Sequence, residues 1–482
     1  MNEKKIVLLF CIVAGVHVFI FSAAFPFFNN VDEREHFDLT IKYSLGHVPR
    51  GEETFSPESA PCLSLYDSSA YFGVPPPWKQ PVEITRMDLA AKTTAIESQK
   101  NYESAQPPLY YALAGFWWNV ERRLGFEDGT LLYGLRFLNI LPVVILVWLG
   151  YATARMIFPQ NSLVRLGVPA LIALIPQSAF YSIVNDVLSP LCFGAVFICL
   201  LKLRRAEIPS VSLGTATGLA LAATFLTKMT NLPLLVVAFA IAALKILQLV
   251  KSKKLRAALP SLASLFFCPA LPMAAWVAWS KNYFGDFTGS QSKAAHFGWT
   301  LKPFGEWWRH PIFSTYGVWT YLSGQLATFW QGEFWWHDRP MSRLPANVAY
   351  TMISLILLAT ACAQMFRHQK TANPQQHDAL CLSLACVAAT LGFFAFLSVI
   401  YDFHDGLNPS RALPFFRAGR MMLGALIPFL LLFLYGFDQL LKPLKSYRTR
   451  LLILSGMILL MLTSEIATDW PVFSNQYNWF HL

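Results

Sequence analysis

With 482 residues, 55% of them hydrophobic and only 14% charged, the chain is too apolar for an ordinary soluble domain, and its positive mean hydropathy marks a multi-span membrane protein. The net charge of +10 does not point to nucleic acid, because Lys and Arg gather in short clusters at the ends of apolar runs, where orientation in a bilayer places them. The eight Cys show no CxxC spacing and no disulfide framework, and only Cys62 falls in a long polar loop.

Residues 6–25, behind Lys4 and Lys5, predict an uncleaved transmembrane anchor with a cytoplasmic amino-terminus. The stretch 26–47, PFFNNVDEREHFDLTIKYSLGH, follows on the outer face and packs Asp32, Glu33 and Glu35 beside His36. On a helix, Asp32 and Glu33 precede His36 by four and three positions, so acid and imidazole share one face. A carboxylate there is a candidate general base for a hydroxyl, with the imidazole or a second carboxylate orienting the acceptor or a metal. The plain alternative is a solvated juxtamembrane helix, and an HExxH metalloprotease motif is absent.

Residues 47–104 are polar and include Pro75-Pro76-Pro77; a connection this long is functional or disordered. The stretch Tyr102 to Tyr111 then opens an apolar segment, with Gln106-Pro107-Pro108 as an extended entry into a helix. Further spans are predicted at 131–157, 163–183, 187–203, 212–229, 231–249, 257–280, 345–366, 379–400, 412–437 and 450–467, about eleven in all. Basic clusters at Lys202/Arg204/Arg205, Lys251/Lys253/Lys254/Arg256, Arg367/Lys370 and Lys442/Lys445/Arg448/Arg450, if cytoplasmic, place residue 130 outside. Residues 105–124 are therefore expected to lie on the outer leaflet, with Trp117 and Trp118 at the interface.

The expected fold is an all-α polytopic membrane protein in five parts: an anchor (1–25), an outer loop with juxtamembrane helices and the acids (26–130), a transmembrane bundle (131–280), an outer aromatic loop (281–344), and a carboxy-terminal bundle with an outer tail (345–482). Five polar features join the acids on the outer side. Arg136, near the start of a span, needs an anionic partner or a snorkelling route. Asn185-Asp186 reads as a helix cap that can also be a ligand, and Lys228 as a phosphate holder or a snorkelling ammonium. The aromatic run Thr328 to Asp338, with Trp330, Trp335 and Trp336, suits sugar stacking or an interfacial belt. Arg411, Arg417 and Arg420 form a basic set that the positive-inside tendency does not explain, which favours an anionic substrate.

In this order the motifs resemble the GT-C superfamily of membrane glycosyltransferases, in a branch related to the protein O-mannosyltransferase and aminoarabinose transferase types. The residues that carry the resemblance are Asp32-Glu33 with His36-Phe37, the entry Glu103 to Tyr110 with its Gln106, Arg136, Asp186, Lys228, the Phe329-Trp330 to Trp336 stretch and Ala418-Gly419-Arg420. Met421 stands where that branch has an aromatic residue. The resemblance implies a polyprenyl-phosphate-linked sugar donor, an acceptor it does not specify, and single inverting displacement in a bacterial inner membrane with a periplasmic active face. It implies Asp32 or Glu33 as the base, with Arg136, Lys228 and Arg420 stabilising the departing phosphate. His36, Glu103, Gln106, Asp186, Trp330 and Trp335 are implied as substrate-binding residues. Some members bind a divalent metal through such acids and others do not, so the metal stays open. Two other classes compete. A transporter or flippase needs ionisable groups near mid-span, and the predicted spans are nearly free of them. A surface-polysaccharide ligase or polymerase shares the basic residues without needing the acid pair.

Overall fold

A computed structural model describes residues 2–66, 82–336, 339–367, 373–404 and 409–481 of an all-α polytopic membrane protein. The Pro75–Pro77 run lies outside the described residues, as do His337 and Asp338 and the tip of the 401–411 turn. In chain order the helices are α1 (Glu3–Ala24), α2 (Glu33–Ser44), α3 (Ala60–Tyr66), α4 (Val82–Glu97), α5 (Leu109–Arg123), α6 (Asp128–Phe137), α7 (Ile140–Ile157), α8 (Ser162–Ala173) and α9 (Ser189–Arg205). Then follow α10 (Val211–Thr227), α11 (Leu232–Lys251), α12 (Leu255–Phe284), α13 (Ser290–His296), α14 (Thr315–Gln331), α15 (Leu344–Arg367), α16 (Pro374–Ile400), α17 (Leu426–Leu440) and α18 (Tyr447–Phe473). Among the described residues, nine helical stretches are long and apolar enough to cross a bilayer, and α8 and α10 are shorter apolar helices. Each predicted span coincides with one of these segments.

Proline sets several boundaries. Pro142 would clash with the carbonyl of residue 138, and the helix there breaks into α6 and α7. The span predicted at 163–183 is helical only to Ala173, because Pro176 disfavours helix in the residue before it; residues 174–184 form a buried irregular connection instead. Its Phe180 and Ser182 carbonyls accept from Asn139 Nδ2 at 3.4 and 2.7 Å, which is how irregular backbone is tolerated at such depth.

One end of the bundle is tied by Arg165–Glu3 (2.5 Å), Arg204–Asp378 (2.9 Å) and Arg450–Asp438 (3.1 Å). The other end carries α2, α5, α13 and the loops between them. Helix α5 is a short amphipathic helix packed on α2, with Phe116 68% exposed and Trp118 buried. The segment 281–344, expected as a loop, is largely helical. Its α14 runs seventeen residues and buries Tyr321, Gln325, Phe329 and Trp330. Short polar or aromatic interruptions hid that helix from the hydropathy pattern.

One feature of the bundle differs from the sequence expectation. His17 of α1 and Glu465 of α18 meet inside the spans at 2.9 Å, with Tyr181 donating to Glu465 at 2.6 Å. The spans therefore hold a buried polar cluster that the chain-order reading missed, because its members are hundreds of residues apart.

Candidate active site

The site grows from the turn between α1 and α2. Arg136 of α6 is fully buried and donates with all its groups: Nε to Glu33 Oε1 at 2.8 Å, Nη2 to Glu33 Oε2 at 2.7 Å and to the Pro26 carbonyl at 2.9 Å, and Nη1 to the carbonyls of Ser22 and Phe25. Its guanidinium also lies over the Phe27 ring at 4.9 Å. Glu33, itself fully buried, accepts further from the Phe28 and Ile183 amides at 3.1 and 2.9 Å. The turn is wrapped around this ion pair so tightly that Phe28 and Asp32 adopt left-handed backbone, at φ 63° and 66°. Glu33 has no lone pair left for an incoming proton, and Arg136 has no donor left for a phosphate. Both were expected to act on substrate; the geometry makes them the frame of the site instead.

The strained turn projects Asp32 the other way. Tyr102 donates to its Oδ1 at 2.7 Å and Arg420 Nη2 to its Oδ2 at 2.5 Å. Arg420, at the start of the 3-10 turn leading into α17, also reaches Asp186 Oδ2 at 3.0 Å and Glu333 Oε2 at 2.7 Å, so one guanidinium ties three carboxylates from three parts of the chain. Lys228 holds both oxygens of Asp186 at 2.7 Å. Glu333 reaches Arg420 because Gly332 turns the chain at φ 75°, ψ −164°, backbone essentially confined to glycine; a Cβ there would lie 2.2 Å from Ser178 Oγ. Burial by itself would raise the Asp32 carboxyl, but Arg420, then Lys293 and His36, outweigh it and hold Asp32 well below the usual carboxylate range.

A third group joins from α2, α13 and the 101–106 turn. Asp38 pins that turn, accepting from Asn101 Nδ2 at 2.8 Å, from the Ser56 amide at 2.8 Å and from Ser59 Oγ at 2.6 Å. Glu103 then pairs with Lys293 and accepts from Gln106, whose Oε1 takes the Asn185 amide at 2.9 Å. Burial opposes the charged forms of both Glu103 and Lys293, yet their mutual attraction lowers the one and raises the other. His36 bonds Tyr111 through Nδ1 at 2.6 Å, while its Nε2 is buried without a partner. Burial lowers the His36 imidazole to about 4, so it is neutral at physiological pH.

Asp32, His36 and Glu103 can hold a divalent cation: one ligand atom from each lies within 4.8 Å of the others, and in the tautomer that donates from Nδ1 to Tyr111 the orphaned His36 Nε2 supplies a lone pair. Two carboxylates and an imidazole suit Mn or Zn. Manganese added to the purified protein is expected to lose its free-ion paramagnetic resonance signal to one site per chain, and His36→Ala is expected to abolish that loss. Equal uptake by the variant would place any bound ion elsewhere.

A pH effect arises at the neighbouring carboxylate. Burial, and then the Asp32 charge, lift Glu35 from 4.5 to about 7, so the folded chain holds a proton that the unfolded chain releases, and this stability contribution falls as pH rises through that window. His36, lowered from 6.5 to about 4, works with the opposite sign, its contribution being lost as pH falls through its own window. Thermal melts should therefore show Glu35→Gln stabilised relative to wild type more at pH 8 than at pH 5. A shift of the same size at both values would remove the assignment.

The structure thus brings Asp32, His36, Glu103, Gln106, Asp186, Lys228 and Arg420 together, and adds Tyr102, Lys293 and Glu333, which motif spacing did not single out. Glu333 lies in the aromatic run Thr328 to Asp338 and Tyr102 opens the stretch to Tyr111; Lys293, a lone cation in an aromatic segment, carries no signal of its own. Trp330 goes elsewhere. It is 1% exposed, donates to Ser354 Oγ at 2.9 Å and stacks on Tyr350 at the edge of an apolar recess between α14, α15, α17 and α18, so its faces are not open to a sugar. Residues Trp335–Trp336 pair with Arg339–Pro340 in a short antiparallel ribbon, and the Trp335 side chain lies outside the described part.

Fold and site together define a polytopic helical membrane protein with a dense, buried ion-pair cluster at one end of its bundle. The chain belongs to the family described as predicted membrane protein (DUF2142), whose model matches residues 16–401. A search of curated proteins finds no match. Among solved structures, the chain is similar to the apo oligosaccharyltransferase of Archaeoglobus fulgidus, at 11% identity and a TM-score of 0.41 over 96% of this chain and 55% of that one. It is also similar to the oligosaccharyltransferase AglB of the same organism in complex with an inhibitory peptide and a dolichol-phosphate, at 10% identity and a TM-score of 0.43 over 98% of this chain and 56% of that one. The chain thus spans little more than half the length of these proteins.

Proposed function

We propose that this protein is an inverting GT-C-type glycosyltransferase that moves a sugar from a polyprenyl-phosphate donor to a hydroxyl of a glycan, lipid or protein acceptor. In this reading the site end of the bundle is the outer, periplasmic face of a bacterial inner membrane. The observation that supports it is Asp32, an ionised carboxylate on strained backbone. Its side chain is 14% exposed, whereas those of Glu33, Asp186 and Glu103 are at 0, 1 and 2%. A reacting group must be reachable, and Asp32 is the member of the predicted pair that is.

The acceptor oxygen attacks the anomeric carbon, its proton passes to Asp32, and the bond from the anomeric carbon to the phosphate oxygen breaks with its electrons on the leaving lipid phosphate. Because Arg420 and Lys293 keep Asp32 a weak base, the proton moves late, once the new bond has made the hydroxyl acidic. Tyr102 and Arg420 fix the carboxylate's direction, which is the positioning such a transfer requires. A divalent cation held by Asp32, His36 and Glu103 would supply positive charge near the departing phosphate. Mass spectrometry of lipids and surface glycans with and without the gene tests the reading: a specific glycan modification is expected to disappear, with its polyprenyl-linked sugar accumulating. Identical profiles would sink it.

The His17–Glu465–Tyr181 cluster favours a second reading, a transporter, since buried ionisable groups in spans mark proton or ion pathways. Glu465→Gln separates the two: it should leave glycan transfer intact in the first reading and abolish transport in the second.

A further inference from the structure

The cations at the site end are not equivalent. Arg420 is ringed by Asp32, Asp186 and Glu333, Lys228 is fixed to Asp186, Lys293 to Glu103, and Arg411 to Asp402 at 2.9 Å. These groups balance carboxylates of the protein and hold them in place. Arg417 differs. It is half-buried, yet among the described residues it takes part in no ion pair and no side-chain hydrogen bond.

Its position is nevertheless built. The aliphatic stem fills a notch over Gly324 of α14, where a Cβ would fall 2.5 Å from Arg417 Cδ. The backbone beneath it is pinned to the same helix: Gln325 Nε2 donates to the Phe416 carbonyl at 2.8 Å, Thr328 Oγ1 to the Arg417 carbonyl at 2.6 Å, and the Gly419 amide to Thr328 Oγ1 at 2.6 Å. One rigid segment therefore presents two guanidiniums three residues apart, Arg420 turned into the acid cluster and Arg417 without an acid among the described residues. Glu333, bonded to Arg420, also attracts Arg417. Partly desolvating a guanidinium without a partner is unfavourable. A bound anion would offset that, and the planar fork suits two phosphate oxygens.

We propose that Arg417 binds the phosphate of the lipid-linked substrate. This rests on the glycosyl-transfer reading and reassigns the phosphate contact from Arg136, whose five donors the protein occupies, and from Lys228 and Arg420, which are held in ion pairs with carboxylates of the protein.

The test uses the full chain in nanodiscs of zwitterionic lipid, with polyprenyl monophosphate, uncharged polyprenol and phosphatidylglycerol as probes. Wild type should bind the polyprenyl phosphate more tightly than the alcohol, and Arg417→Ala should lose about ten-fold or more of that preference with polyprenol binding unchanged. Arg417→Lys should fall between them, since it keeps the charge and loses the fork. Gly324→Ala, which displaces the stem, should behave like Arg417→Ala, and Arg411→Ala like wild type. A thermal unfolding midpoint for each variant shows that the fold is kept. A wild type that does not distinguish phosphate from alcohol would refute the glycosyl-transfer reading itself. A wild-type preference that survives in Arg417→Ala overturns only the assignment of Arg417. Equal loss of phosphatidylglycerol binding would make Arg417 a bilayer-lipid contact and likewise overturn it.

Discussion

Replacing Asp32 with Asn is expected to reduce glycosyl transfer by about 10²- to 10⁴-fold, the range over which a positioned proton acceptor acts. The substitution is nearly isosteric: the Asn oxygen can still accept from Arg420 while its amide donates to the Tyr102 hydroxyl, so membrane insertion and the unfolding midpoint should change little. The charge balance shifts too, because Arg420 loses one of three carboxylates while keeping Asp186 and Glu333. Glu35→Gln is the informative companion. Its carboxyl lies near Asp32 and is lifted to about 7, a value suited to a base at neutral pH. Transfer in Glu35→Gln should stay within about ten-fold of wild type if Asp32 takes the proton. The opposite pattern, with Asp32→Asn active and Glu35→Gln dead, would move the base one turn along α2.

The largest stability effect is expected at Arg136. Arg136→Met leaves Glu33 as a buried charge with two backbone donors and no counterion, and breaking a buried pair this way costs about 3–5 kcal/mol. Three carbonyls of the 22–26 turn lose their donor at the same time. Activity should vanish with the fold, seen as a lowered midpoint and poor recovery in detergent, rather than as a folded protein with slow chemistry. Pairing Arg136→Met with Glu33→Leu should regain part of the loss, because two apolar side chains leave no unpaired charge. If Arg136→Met folds normally and fails only in transfer, the guanidinium acts on substrate after all.

These two expectations separate neighbours that look alike in the chain. Asp32 and Glu33 are adjacent acids, equally good candidates by residue type and spacing. Only the positions of Arg136 and Arg420, about a hundred and nearly four hundred residues away, make one of them the frame and leave the other reachable. The same holds among the arginines. Arg411, Arg417 and Arg420 read as one basic set, yet one is paired with Asp402, one is enclosed by three acids and one has no acid among the described residues. Trp330 could be quoted as an aromatic platform because composition carries no information about which face of α14 is covered by α15 and α17.

The sequence by itself marked which segments are apolar enough to cross a membrane and which loops share an end of the bundle, because hydropathy and basic flanks act locally, over the length of one span. It also marked the 26–47 stretch, the Glu103 to Tyr111 entry and Arg420 as the places where polar chemistry would gather. The tertiary structure alone decided which carboxylate is reachable, which cation has no acid among the described residues, and that Lys293 and Glu333 join the ion-pair cluster. Those properties depend on burial and on charge pairing between groups distant in the chain, and in a low-dielectric bundle the pairing sets which groups are held and which remain available to a ligand.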